Sequence, residues 1–160
     1  MVQMEVVGVR VELPSNSPIV LLRESGGERR LLPIFIGGPE ATAIAFALDE
    51  VPTARPMTHD LMKHLLDELG ASVDRVVVTE LSEGTFYAEL HFSVAGDEHR
   101  VSSRPSDAIA LAVRTGTTVY AEEAVLEEAA VPLDDEEEQE EVVEKFREFI
   151  DNVNPEDFAS

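Results

Sequence analysis

Residues 103–116 read SRPSDAIALAVRTG, and the way this stretch is read decides the fold. The run Ala108-Ile109-Ala110-Leu111-Ala112-Val113 has no polar break, so as a helix it is apolar on every side and has to be buried. Its entrance, Arg104-Pro105-Ser106-Asp107, is polar and charged. Pro105 suits the first helical position and Asp107 complements the helix dipole, so the helix is predicted to begin there.

The segments before this helix read as strands. Phe86, Ala88, Leu90, Phe92 and Val94 alternate with Tyr87, Glu89, His91 and Ser93, which gives one core face and one polar face. Val73–Leu81 precedes this strand across Ser82-Glu83-Gly84, and a turn at Gly96-Asp97 returns the chain as His99–Ser103, completing a three-stranded meander. With Gly96-Asp97 as the two turn residues, Val94 faces His99, His91 faces Ser102 and Glu89 faces Arg104, the last an ion pair. The polar side of the hairpin then carries Glu89, His91, Arg100, Ser102 and Arg104 toward Ser106 and Asp107.

Further strands are expected at Met4–Leu13, Ile19–Arg23 and Leu31–Ile36, the last two joined as a hairpin around Ser25-Gly26-Gly27. A helix follows Gly37-Gly38-Pro39-Glu40, with Pro39 and Glu40 in its first turn. A second is N-capped by Thr58, shows Met62, Leu65, Leu66 and Leu69 on one face and stops at Gly70. A short strand at Thr118–Tyr120 and a helical turn at Glu123–Glu128 complete the body. The expectation is an α+β fold: a mixed or antiparallel sheet with hairpins and packed helices. Residues 1–133 form the domain, 134–141 an acidic linker, and 142–160 an amphipathic C-terminal helix and tail.

Composition narrows the functional classes. Thirty-three acidic residues against 12 basic ones give a net charge of −21, which argues against simple electrostatic attraction to nucleic acid or an anionic membrane. The absence of cysteine excludes disulfides, thiolate metal sites and cysteine nucleophiles. The start, MVQMEVVGVRVE, has neither a basic n-region nor a long apolar run, and no apolar run of about 18 residues occurs, so a cytoplasmic protein with no membrane association is expected. The Lys-poor, acid-rich composition suits solubility in high salt, although an acidic tail and surface also aid solubility at ordinary ionic strength.

Two polar clusters carry candidate chemistry. The entrance of the apolar helix offers Arg104, Ser106 and Asp107 beside free backbone N–H groups, a setting that favours an anion such as phosphate; as a purely structural feature it is a cap with an ion pair. The second cluster is Arg55-Pro56-Met57-Thr58-His59-Asp60 with His64 and Asp67. Asp60, His64 and Asp67 share a helix face, where carboxylate and imidazole can hold a divalent ion or act as acid and base, or can be plain solvent surface. Gly37-Gly38 lacks the frame of a nucleotide-binding loop, and no HExxH or Ser-His-Asp spacing is present.

The segments IGGPEATAIA (36–45), RPMTHDLMKHLLDELGA (55–71), EGTFYAELHF (83–92), SRPSDAIALAVRTG (103–116), VYAEEAVL (119–126) and KFREFIDNVNPEDF (145–158) resemble, in order and over nearly the whole chain, the bifunctional nuclease family. The resemblance implies a self-associating α+β domain in a family credited with RNase and DNase activity. Nucleic acid is then the substrate, and its phosphodiesters are cleaved with help from a divalent cation, magnesium or manganese. His59, Asp60, Arg104 and Asp107 become the catalytic candidates, and Arg55, Ser106, Glu89 and His91 the substrate-binding ones; the metal ligands are left unassigned. A homodimer is the simplest assembly, since an apolar tail helix beyond an acidic linker can reach a partner. The competing class is a non-catalytic oligomeric binding or regulatory module in which the same residues are caps and interface pairs. It is favoured by the lack of any DxD or DEDD-like carboxylate group.

A net charge of −21 on 160 residues repels itself, and added salt shortens the range of that repulsion from about 8 Å at 0.15 M to about 3 Å at 1 M. The thermal midpoint is expected to rise between dilute and molar KCl. A midpoint that stays level across that range, measured by circular dichroism, would remove the high-salt reading.

Overall fold

The computed structural model describes residues 1–12 and 16–133. Among these the chain runs β1 (Val2–Glu12), β2 (Ser17–Glu24), β3 (Leu31–Phe35), α1 (Gly38–Leu48), α2 (Thr58–Glu68), β4 (Ala71–Ser82), β5 (Thr85–Val94), β6 (Asp97–Ser103), α3 (Pro105–Thr115), β7 (Val119–Ala121) and α4 (Glu123–Ala129). The seven strands form one mixed sheet in the order β3-β2-β1-β7-β4-β5-β6. All neighbouring strands are antiparallel except β4 and β7, which are parallel. The α+β expectation is met. The acidic linker and C-terminal helix expected over 134–160 lie outside the described residues.

The apolar run of α3 is buried as its sequence requires: Ala108, Ile109, Ala110, Leu111 and Ala112 are all in the core. They are enclosed by α1 on one side, α2 on the other, and β4 and β5 beneath. Helix α1 is the matching partner, with Ala41, Ala43, Ile44, Ala45 and Phe46 buried. Alanines on both helices leave little side chain between the backbones. Val20, Leu22, Leu32, Ile34, Val76, Val78, Ala88 and Leu90 supply the sheet's side of this core. The strand alternation holds, since Ala88 and Leu90 are buried while their neighbours Glu89 and His91 point to the opposite face.

The β5–β6 register differs from expectation by two residues. Val94 pairs with Asp97, Phe92 with His99, His91 with Arg100 and Glu89 with Ser102. The turn residues are Ala95 and Gly96, both at positive φ (50° and 85°), as a two-residue turn matched to the twist of its strands requires. Because the slip is an even number of residues, every side chain keeps its face. What changes is the partner of Arg104, which lies past the end of β6 and cannot face Glu89.

The start of α2 also differs. Met57 rather than Thr58 is the N-cap, and the carboxylate of Asp60, three residues on, accepts the Met57 backbone N–H at 2.9 Å. An acidic residue at this position satisfies the orphan donor from inside the helix, so the capping hydroxyl is not needed. On the far side of the sheet region, Glu24 is buried and receives Arg30 through its backbone N–H (2.7 Å), Nε (3.0 Å) and Nη2 (2.9 Å). The Arg30 hydrogen bonds hold the Glu24 carboxyl below its ordinary value, against the opposing effect of burial. Arg30 also reaches Glu123, tying the β2–β3 hairpin to α4.

Candidate functional site

The N-termini of α1 and α3 open on the same cleft, of about 440 Å³, whose walls include Gly37, Arg104, Pro105 and Ser106 together with Pro18, Phe35 and Phe86. Arg104 stands at its edge with its side chain 66% exposed. Its Nε donates to Asp107 Oδ2 at 2.9 Å, and its Nη2 donates to Glu40 Oε1 at 2.8 Å. These contacts, that with Asp107 foremost, raise the arginine's pKa. Nη1 is left without a protein partner among the described residues. The other oxygen of Asp107 meets His59 Nε2 at 2.9 Å, and His59 itself is buried. His59 Nδ1 is buried with no hydrogen-bond partner among the described residues. The result is one chain of contacts, His59–Asp107–Arg104–Glu40, running from the core to the cleft.

Each member is placed by a different element. His59 lies in the first turn of α2, Asp107 in the first turn of α3, Arg104 is the N-cap of α3, and Glu40 lies in the first turn of α1. Glu40 is not among the residues that the sequence singles out for chemistry. Its only signal there is a carboxylate in the first turn after Gly37-Gly38, which reads as a dipole complement. Gly37 makes room for it: a Cβ on Gly37 would overlap Glu40 Oε2.

The other candidates are placed elsewhere. Asp60, next to His59 in sequence, turns away from it to accept Arg114 Nε at 2.6 Å and to cap Met57. Burial pushes the Asp60 carboxyl up, but the Met57 N–H and Arg114 outweigh it and the net shift is downward. His64 is exposed, and Asp67 pairs with Lys63 at 3.4 Å, so the Asp60, His64 and Asp67 trio is not drawn together. Arg55 is exposed in the loop before α2. Ser106 is buried at the cleft. Glu89 and His91 lie on the opposite face of the sheet from α3, where Arg100 approaches Glu89 at 3.9 Å. The expected Glu89–Arg104 pair is replaced by Glu40–Arg104, for the reason of register given above. Among the described residues no three acidic or imidazole groups converge in a way that would hold a metal ion. The two carboxylates nearest the cleft, Glu40 and Asp107, are both engaged by the guanidinium of Arg104.

Comparison with known proteins places this architecture. The Bifunctional nuclease domain matches residues 20–134, which contain every element of the His59–Asp107–Arg104–Glu40 chain. The chain belongs to the bifunctional nuclease domain family. It is 47% identical over 165 residues to an uncharacterized protein of Mycobacterium tuberculosis, covering 99% of this chain and 98% of that one. It is 35% identical over 107 residues to Bifunctional nuclease 2 of Arabidopsis thaliana, covering 64% of this chain and 32% of the relative. Bifunctional nuclease 1 of Oryza sativa subsp. japonica is 30% identical over 112 residues, covering 68% of this chain and 33% of the relative. The chain thus spans about a third of the length of these plant nucleases. No helix among the described residues is long and apolar enough to cross a membrane.

The Gly37 geometry gives a direct test of the Glu40–Arg104 link. Gly37→Ala is expected to leave the melting temperature nearly unchanged, because Gly37 is exposed and at a negative φ and only the end of a flexible side chain has to move. Glu40 should leave Arg104, visible as a change in the Arg104 Nη2–H resonances in NMR spectra. An unchanged resonance in a folded variant would contradict the packing described.

Proposed function

We propose that the chain is a phosphodiesterase acting on nucleic acid, RNA and DNA alike, with its site in the cleft at the α1 and α3 N-termini. The observation that carries this reading is the free edge of Arg104, fixed by two carboxylates beside two helix starts at one cleft. Helix N-termini favour anions, and a guanidinium held in place is suited to the non-bridging oxygens of a phosphate. In this scheme Arg104 binds the phosphate and stabilises charge gathering on its oxygens. Glu40 takes a proton from the attacking water; the new P–O bond forms as the ester P–O bond breaks, and the proton passes to the departing oxygen. Asp107 and His59 are positioning residues: they orient Arg104 from the core side. Asp60 joins α2 to α3 through Arg114 and supports the site from behind. The names of the plant relatives, Bifunctional nuclease 1 and 2, support the nuclease activity.

A cleavage assay on RNA and on DNA, paired with unfolding measurements on the same preparations, tests the reading. Arg104→Ala, by loss of a charge-stabilising donor, and Glu40→Gln, by loss of the general base, are each expected to lower cleavage by about a hundredfold or more with little loss of stability. Variants that lose roughly 1–3 kcal/mol of stability yet keep full activity would make the cluster a cap and ion pair only. Repeating the assay after EDTA treatment, and again with magnesium or manganese restored, reads the contribution of a divalent ion.

A second reading, a non-catalytic module that assembles with copies of itself, is favoured by one feature. Leu61 and Leu65 on α2 and Leu69 at its C-cap recur every fourth residue and are 53%, 53% and 72% exposed. Such a stripe is suited to a second copy, and in a two-fold dimer the same stripe meets itself. The native chain is expected to be larger than a monomer by light scattering, and Leu65→Asp to shift it to monomer. A monomeric native chain would set this assembly aside.

A further inference from the structure

We infer that the cleft selects single-stranded nucleic acid by stacking an unpaired base on Phe35, so that affinity comes from the base more than from the phosphates. This rests on the nuclease reading and names its substrate class. Phe35 ends β3 at the cleft and is 62% exposed. Phe86, Pro18 and Pro105 give the same cleft further apolar wall, with Arg104 at the edge. A volume of about 440 Å³ is in the range of small-ligand sites and admits a nucleoside-sized group.

Charge makes the selection. Ordinary nucleic-acid binding is carried by cations that neutralise phosphates, yet this chain has 12 basic residues against 33 acidic ones. Among the described residues Arg104 is the basic one lining the cleft, and two carboxylates already offset it. A duplex keeps its bases stacked inside and presents backbone to such a site, so it finds one partly neutralised cation. A single strand can turn a base outward, and an aromatic ring binds any base by its face with little dependence on salt. Phe35 is the exposed ring placed to do this, beside the guanidinium that would hold the adjoining phosphate.

The test is fluorescence anisotropy with the full chain in EDTA, using labelled oligothymidylate and the duplex it forms with oligoadenylate. The single strand is expected to bind at least about tenfold more tightly than the duplex, and Phe35→Ala to lose about tenfold in affinity for it. Phe35→Trp should retain binding. The slope of log K against log salt should be about −0.7, the value for one neutralised phosphate on a single strand. Since Phe35 is exposed, both variants should melt with the native protein. Equal affinity for duplex, a slope several times steeper, or an unaltered Phe35→Ala would each overturn the inference. Tight, Phe35-dependent single-strand binding without cleavage would uphold it and overturn the nuclease reading. Cleavage of duplex and single strand at equal rates would do the reverse.

Discussion

Everything in this molecule is arranged around the need to bury α3 on all sides. The run Ala108–Val113, with no polar residue, has no rotation that exposes it favourably, so it must be enclosed by α1, α2 and the sheet together. Once enclosed it cannot turn about its axis without opening gaps in a close-packed interior, and the side chains of its first turn inherit that fixity. Arg104 and Asp107 are therefore presented in one orientation only. Packing α1 alongside brings Glu40 to Arg104, and packing α2 on the other flank brings His59 to Asp107. The polar chain is a consequence of the apolar one.

Acidity is handled locally rather than by balance across the surface. Two arginines are each shared between two carboxylates: Arg30 serves Glu24 and Glu123, and Arg104 serves Asp107 and Glu40. Arg114 serves Asp60 while donating to the Ala110 carbonyl. Each joins elements distant in sequence, so the cations act as ties between layers. The same arrangement leaves little positive potential for a polyanion, which is why the character of the cleft wall matters as much as its guanidinium.

The fold was legible where burial imposes a pattern. The alternation at 86–94 allows one reading, whereas the uninterrupted run at 108–113 suits a buried strand or a buried helix by period alone and is decided by its flank, Pro105 at the first helical position and Asp107 in the first turn. The β5–β6 turn was less so: Ala95-Gly96 and Gly96-Asp97 both contain the glycine such a turn wants, and only the backbone shows which pair takes positive φ. At the site, chain proximity misled. His59 and Asp60 look like a pair, but neighbours on a helix diverge by about 100°, so one meets α3 at its start and the other at its end. Glu40 joins Arg104 across 64 positions, a separation that no local pattern encodes.

The three residues of β7 have a bearing on how the protein comes to be made. Strands β1 to β3 form one antiparallel block and β4 to β6 another, and among the described residues the strand pairing between them runs only through Val119–Ala121, antiparallel to β1 on one side and parallel to β4 on the other. During synthesis both blocks have left the ribosome's active centre before the segment that joins them exists. Until then β1 and β4 each present an open edge, the kind of surface that recruits foreign strands. Joining them closes loops of more than a hundred residues on the β1 side and about forty on the β4 side, which makes the pairing of β7 with β1 a strongly non-local contact that can form only after both blocks have been made. Vectorial production thus hands the cell a half-sheet first, and a whole one only when its shortest strand arrives.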